Sequence, residues 1–289
     1  MLRALNVRVR IQEQYRGESC DVIIALHAHK SADSVSRARR GNPNGRIVVA
    51  LTGTDLYRDL PASAAALSAL QSAWRIVVLQ PLALRRIPEQ HHAKTRVIYQ
   101  SAVATPEKSA PDPEHFDICV TGHLRDEKAP LLTAAAARLL PASSRVRILQ
   151  IGRALTPGYE ALAQREQMEN PRYRWLGELS RRHARRLVAS TRAVALTSIM
   201  EGGANVISEA ITDGVPVIAS RIDGSVGLLG PDYPGLFDTG NVEELRNLIC
   251  RFECDTQFRT ELQERCLTLR SLFLPERELQ SWKTLLAEI

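Results

Sequence analysis

Short apolar runs alternate with amphipathic stretches along nearly the whole chain. Residues 21–26 contain Val22-Ile23-Ile24-Ala25-Leu26, a continuous apolar run of the length expected for a strand buried on both faces. Runs of the same kind predict strands at 46–51, 75–79, 96–99, 116–120, 146–151, 173–176, 193–196 and 215–219, and the pattern at 7–12 predicts a further short one. Between them, helical periodicity predicts helices over 30–40, 61–73, 82–87, 130–140, 157–169 and 180–189. A helix opening at Glu201 and stopping at Asp213-Gly214 follows, and 242–254, 257–273 and 276–289 close the chain as helices.

Residues 102–113 interrupt the alternation. They hold Pro106, Pro111 and Pro113 with scattered charge and no periodicity, which reads as a linker. Strands alternating with helices on both sides of it predict an α/β fold of two doubly wound, Rossmann-like domains. The boundaries expected are 1–105 for the first domain, 106–115 for the linker and 116–289 for the second, whose terminal helices pack back. In such sheets ligands bind outside the carboxyl ends of the strands. The candidate residues therefore lie just after strands.

Composition narrows the picture only in part. The chain has 289 residues, of which 44% are hydrophobic, enough for two ordinary domains. A net charge of +6 suits nucleic acid or small phosphorylated substrates, but aromatic residues at 5% leave little for base stacking. The basic run Arg181-Arg182-His183-Ala184-Arg185-Arg186 reads as a solvated helix face, with nucleic-acid binding as the competing reading. Five cysteines with no regular pairing argue against a disulfide framework and fit a reducing compartment. Cys250 and Cys254 lie one helical turn apart, but no second pair at zinc-site spacing accompanies them, so no metal is expected. No apolar run has transmembrane length and no signal-peptide core opens the chain, so a soluble, cytoplasmic protein without membrane partners is expected.

The densest chemistry is at Glu201-Gly202-Gly203-Ala204-Asn205, with Glu209 further on. Two carboxylates bracket a glycine pair where a strand hands over to a helix. A helix start offers unpaired amides, glycines allow close approach, and carboxylates accept from hydroxyls. A nucleotide sugar fits that set; a capped helix with two solvated glutamates fits it too. A second cluster, Gly122-His123-Leu124-Arg125-Asp126-Glu127-Lys128, follows the first strand of the second domain. A third, Thr52-Gly53-Thr54-Asp55, follows a strand of the first, where Asp55 serves equally as a turn cap. His27 and His29 flank the end of the strand before that one.

Glu201, seven intervening residues, Glu209 and then Ala210 resemble the signature of family 4 glycosyltransferases, which have the GT-B fold. The resemblance implies that Glu201 lies near the donor-sugar hydroxyls and that Glu209 holds the ribose hydroxyls. It implies that the amides of Gly203 to Asn205 face the diphosphate, with Lys128 at the place of the family lysine. His123 stands where the family has arginine, with Arg125 close by, and Thr52 stands where the family's His-Gly-x-Asp has its histidine. Thr52 to Asp55 would then line the acceptor side, with Asp55 and Glu201 as candidate catalytic groups. The first domain is expected to lack the opening strand and glycine-rich loop of the family, only Leu2-Arg3-Ala4-Leu5-Asn6 resembling the helix that follows them.

A narrower resemblance runs through residues 51–60, 122–128, 201–205 and 219–230. These are similar to the selenosugar synthases of selenoneine biosynthesis, a branch of the same family. That implies transfer of a hexose or N-acetylhexosamine from a UDP-sugar to selenophosphate, without a metal or other cofactor. The alternatives are a non-catalytic sugar-nucleotide binder and a basic nucleic-acid-binding protein. Sequence alone sets neither the sugar, nor the stereochemical course, nor the oligomeric state.

Overall fold

The computed structural model describes residues 2–60 and 62–288. The chain forms two units by its internal contacts: Met1–Ser101, Met200–Ala204 and Leu274–Ile289 make the first, and Ala102–Ile199 with Asn205–Phe273 the second.

The first unit is built on a parallel sheet of four strands in the order β1 (Val22–Leu26), β2 (Arg46–Ala50), β3 (Arg75–Val78), β4 (Thr95–Val97). The β-branched runs form strands because β2 and β3 are buried on both faces: Ile47 and Val49 point to one side, Val48 and Val77 to the other. Strands paired in chain order send right-handed crossovers to one face. There α1 (Ala32–Gly41) and α2 (Ala64–Ser72) pack Val35, Ala38 and Leu70 against the sheet. The other face, left bare by those connections, is covered by α10 (Pro275–Ala287) through Leu285 and Trp282. Glu288 then binds Arg75 at 2.6 Å and Arg96 at 3.1 Å. This stretch therefore groups with the first unit, whereas its position in the sequence places it in the second domain.

The second unit carries a parallel sheet of six strands. The chain lays down β5 (Phe116–Thr121), β6 (Val146–Ile151) and β7 (Tyr173–Trp175) outward in one direction. It then returns to the other side of β5 with β8 (Ala193–Leu196), β9 (Val217–Ser220) and β10 (Leu236–Phe237). The reversal lies between β5 and β8, paired through Ile118–Ala193 and Cys119–Val194. The helices are α3 (Leu132–Arg138), α4 (Tyr159–Glu169), α5 (Arg181–Ala189), α6 (Asn205–Asp213), α7 (Asp223–Leu229), α8 (Val242–Cys254) and α9 (Thr256–Leu269).

Several expectations are corrected. Residues 7–12 are not a strand: among the described residues no partner strand pairs with them, and Ile11 is 85% exposed. The helix of the glutamate motif starts at Asn205, not Glu201, since the glycine pair bends instead of coiling. Pro130 precedes α3 instead of opening it. The predicted linker is part of the second unit: the Thr105 N–H and hydroxyl both donate to the buried Asp213 at 2.7 Å, and Lys108 donates to the Asp213 carbonyl. Pro61, the start of the second predicted helix, lies outside the described residues. The cysteines are free thiols, and among the described residues no helix is long and apolar enough to cross a membrane.

Candidate functional site

In the second unit the site grows from the point where the sheet reverses. A small crevice lies there, lined by Val120 and Thr121 at the end of β5 and Gly122 after it, by Leu196 at the end of β8 and Thr197 after it, and by Lys128. In doubly wound sheets such a switch point is where the loops diverge and leave room for a ligand. Gly122 has φ +152°, and the stem of Lys128 packs beside it, in ordinary contact at 3.5 Å from where a Cβ would stand. The turn Asp126–Lys128 is fastened to the end of β8: Thr197 donates its hydroxyl to the Lys128 carbonyl at 2.9 Å, and the Ile199 N–H donates to the Glu127 carbonyl at 2.9 Å. Lys128 is thus carried by a short, tied turn.

His123 is held from the neighbouring loop, its Nδ1 accepting the Arg153 N–H at 3.1 Å. Gly152, at φ +143°, fits against Gly122 so closely that any Cβ there would lie 2.0 Å from the Gly122 carbonyl oxygen. Arg125 lies 3.9 Å from Glu127. The Arg153 side chain faces Glu178 at 3.8 Å.

Asn205 is exposed at the start of α6, and Glu209 sits one turn further on, partly buried. Burial pushes the Glu209 carboxyl up from its ordinary value, against the opposing pull of Arg185 and Arg181 on α5. Their guanidinium nitrogens lie 3.5 and 3.6 Å from Glu209 Oε1. Asp213 is buried, which pushes its carboxyl up, but the Arg185 guanidinium and Thr105 N–H and hydroxyl outweigh burial and hold it below the usual range. The basic run of α5 is therefore no uniform solvated face. Arg185 is turned inward, a role hidden in the sequence among three other arginines; the only hint is its four-residue spacing from Arg181.

In the first unit, Glu201 to Ala204 lie against the loop after β2. A Cβ on Gly53 would meet the Gly202 nitrogen at 2.8 Å, and one on Gly202 would meet the Gly53 nitrogen at 2.7 Å, so neither glycine tolerates a side chain. Asp55 is fully buried and accepts the Ala28 N–H at 2.9 Å and the Thr52 N–H and hydroxyl at 2.6 and 2.9 Å. It is the tie that shapes this loop. His27, at φ +71°, is buried beside Thr54 at 3.2 Å and Asp59 at 3.5 Å.

Residues 104–266 match the family model described as glycosyl transferases group 1. The chain belongs to the group 1 glycosyl transferases. No curated protein sequence matches it. Among solved structures it is similar to Anabaena Alr3699/HepE in complex with UDP and glucose, with a TM-score of 0.76 and 21% identity, over 93% of this chain and 78% of that one. It is similar to the sucrose-phosphate synthase of Thermosynechococcus elongatus, with a TM-score of 0.73 and 18% identity, over 93% and 74%. A point mutant of Staphylococcus aureus TarM, solved with fondaparinux, α-GlcNAc-glycerol and UDP, aligns at 0.69 and 14% over 91% and 55%. The group 1 glycosyl transferase fold of this chain is GT-B.

Proposed function

We propose that this glycosyl transferase moves a hexose or N-acetylhexosamine from a UDP-sugar to selenophosphate. The observation that carries the donor half is the crevice at the β5–β8 reversal with Lys128 on its wall. Lys128 offers a positive charge to a diphosphate, and Gly203 to Asn205 offer amides, where Asn205 opens α6. Glu209 accepts from ribose hydroxyls and Glu201 from sugar hydroxyls. His123 and Arg125 stand beside the lysine turn, and Thr52 to Thr54, on the loop that buried Asp55 ties down, line the acceptor side. UDP and UDP-glucose, the ligands of the Anabaena structures, support a uridine donor. The acceptor rests on the sequence similarity at residues 51–60, 122–128, 201–205 and 219–230.

In the reaction the bond from the sugar C1 to the UDP oxygen breaks, its electron pair leaving on the β-phosphate, and a C1–Se bond forms. Charge grows on the leaving diphosphate, which Lys128 and the amides stabilise in the transition state. The reading assigns that work to protein groups and no metal ion. UDP release is measured with UDP-glucose and UDP-N-acetylglucosamine, with and without selenophosphate, before and after chelation with EDTA. Release that depends on selenophosphate, survives EDTA and drops by about a hundredfold or more in Lys128→Met supports the reading. UDP binding without turnover points to a sugar-nucleotide binder instead, and turnover only with another acceptor keeps the donor half and removes selenophosphate.

A further inference from the structure

Arg185 stands apart from the other basic residues of its helix. Its side chain is 12% exposed, whereas that of Arg181, one turn earlier, is 84% exposed. Nη2 donates to Asp213 Oδ2 at 2.8 Å and to the Val103 carbonyl at 2.9 Å, while Nη1 lies 3.5 Å from Glu209 Oε1. Nε is buried without a partner, so the guanidinium acts through its two terminal nitrogens. Asp213 is itself fixed by Thr105 and by Lys108 at 3.6 Å. One end of the guanidinium is thus anchored to a rigid group, and the other is aimed at Glu209.

We infer that Arg185 is a positioning residue for the nucleotide: it sets a fixed positive charge beside Glu209 and fixes the direction of that side chain, so that its carboxylate oxygens accept the ribose hydroxyls of the donor. The role rests on the donor reading of Glu209. Two vicinal hydroxyls need two acceptors, and a protonated carboxyl offers its hydroxyl as a donor instead. Burial drives Glu209 toward that protonated form. The charges that face it are Arg185 and Arg181 on α5 and Asp213 on its own helix. Arg181 also pulls, by its charge and a hydrogen bond, but its side chain is solvent-exposed and screened, whereas Arg185 is held in place by Asp213 and has the larger charge effect on Glu209. A guanidinium fork holds its donors in a fixed plane, so its anchoring at Asp213 also sets its direction toward Glu209, which the rotatable donors of an ammonium do less well.

The test is UDP affinity by titration calorimetry from pH 5.5 to 8.5, for wild type, Arg185→Met, Arg185→Lys and the charge-matched control Arg182→Met, whose side chain is exposed. Arg185→Met should bind UDP about tenfold more weakly at pH 7, the scale of one charge-assisted contact. The acid limb of its affinity profile should move to higher pH than in wild type. Arg185→Lys should recover part of the affinity and return the limb toward wild type, and Arg182→Met should match wild type in both. If Arg185→Met does not fold, the limb of Arg185→Lys, lying above that of wild type, carries the test. Wild-type affinity and an unmoved limb in the folded Arg185 variants overturn the positioning role and leave the donor reading intact. A wild-type chain that does not bind UDP overturns the donor reading first, and this role with it.

Discussion

Glu209 is an acid kept against its own solvation. Burial raises its carboxyl above the ordinary value, so the ionised form costs stability, and the cost appears as pH rises through the raised value. Removing the charge should relieve that cost. Glu209→Gln is therefore expected to melt no lower than wild type at pH 7, and higher relative to wild type at pH 7 than at pH 4. It should bind UDP at least about tenfold more weakly, the pattern of a group retained for binding. Thermal melts at both pH values and a UDP titration decide it; a clear loss of stability at pH 7 would make Glu209 a structural ion-pair partner. At this scale the sequence was partly legible. Glu209 and Lys128 stood out in the sequence through their resemblance to the family motif. Arg185 was not, because only packing separates it from Arg181, Arg182 and Arg186. Asp55 read equally as cap and as site; its fully buried carboxylate, accepting two backbone N–H groups, is that of a cap that shapes the loop.

Most strands were legible because a parallel sheet covered on both faces forces its strands to be apolar throughout. The failures have local causes. Residues 7–12 have the right alternation and, among the described residues, no partner strand. The helix α7 carries Gly224 and Gly227, and β10 is two residues long, so neither leaves a periodic trace. Residues 102–115 have the composition of a linker, yet their anchors are carboxylates distant in sequence or hidden by short range. The Glu114 N–H first, then the His115 side chain and its N–H, hold Asp112 down to about 2, against the effect of burial. Asp213, also below its ordinary value, holds Thr105. For acids depressed on folding, the stability they contribute is present above the unfolded value and lost as pH falls through the folded one. The melting temperature should thus fall between about pH 4 and pH 2, the unfolded aspartate value and that of Asp112. Asp213→Asn should melt lower at pH 7 and lose less than wild type across that window. The terminal helix gives a second check. Leu285 is 1% exposed against Val48 and Val77, so Leu285→Ala should cost about 2–5 kcal/mol in urea unfolding, as large-to-small changes in a core do.

Across the whole molecule, chain order and spatial grouping part company at two places. Residues 274–289 complete the first unit, and residues 200–204 group with it although α6, which follows directly, belongs to the second. A linear reading assigns each stretch to the domain it sits in along the chain; only contacts reveal that a face left bare by right-handed crossovers draws in a distant helix. Glu201 to Ala204 group with the first unit, and His123, Lys128, Asn205 and Glu209 with the second. A ligand that binds only the native state stabilises by mass action, about 2.7 kcal/mol at a hundred times its dissociation constant. UDP at that excess should raise the melting temperature by several degrees. Amide hydrogen exchange should slow at 122–128 and at 203–209, with the amides of α1 and α2 unchanged. The two stretches test different parts of the reading. Slowing at 122–128 without slowing at 203–205 would keep Lys128 in the diphosphate site and remove the glycine amides from it. The reverse pattern would keep the amides and make the lysine turn a structural tie to β8.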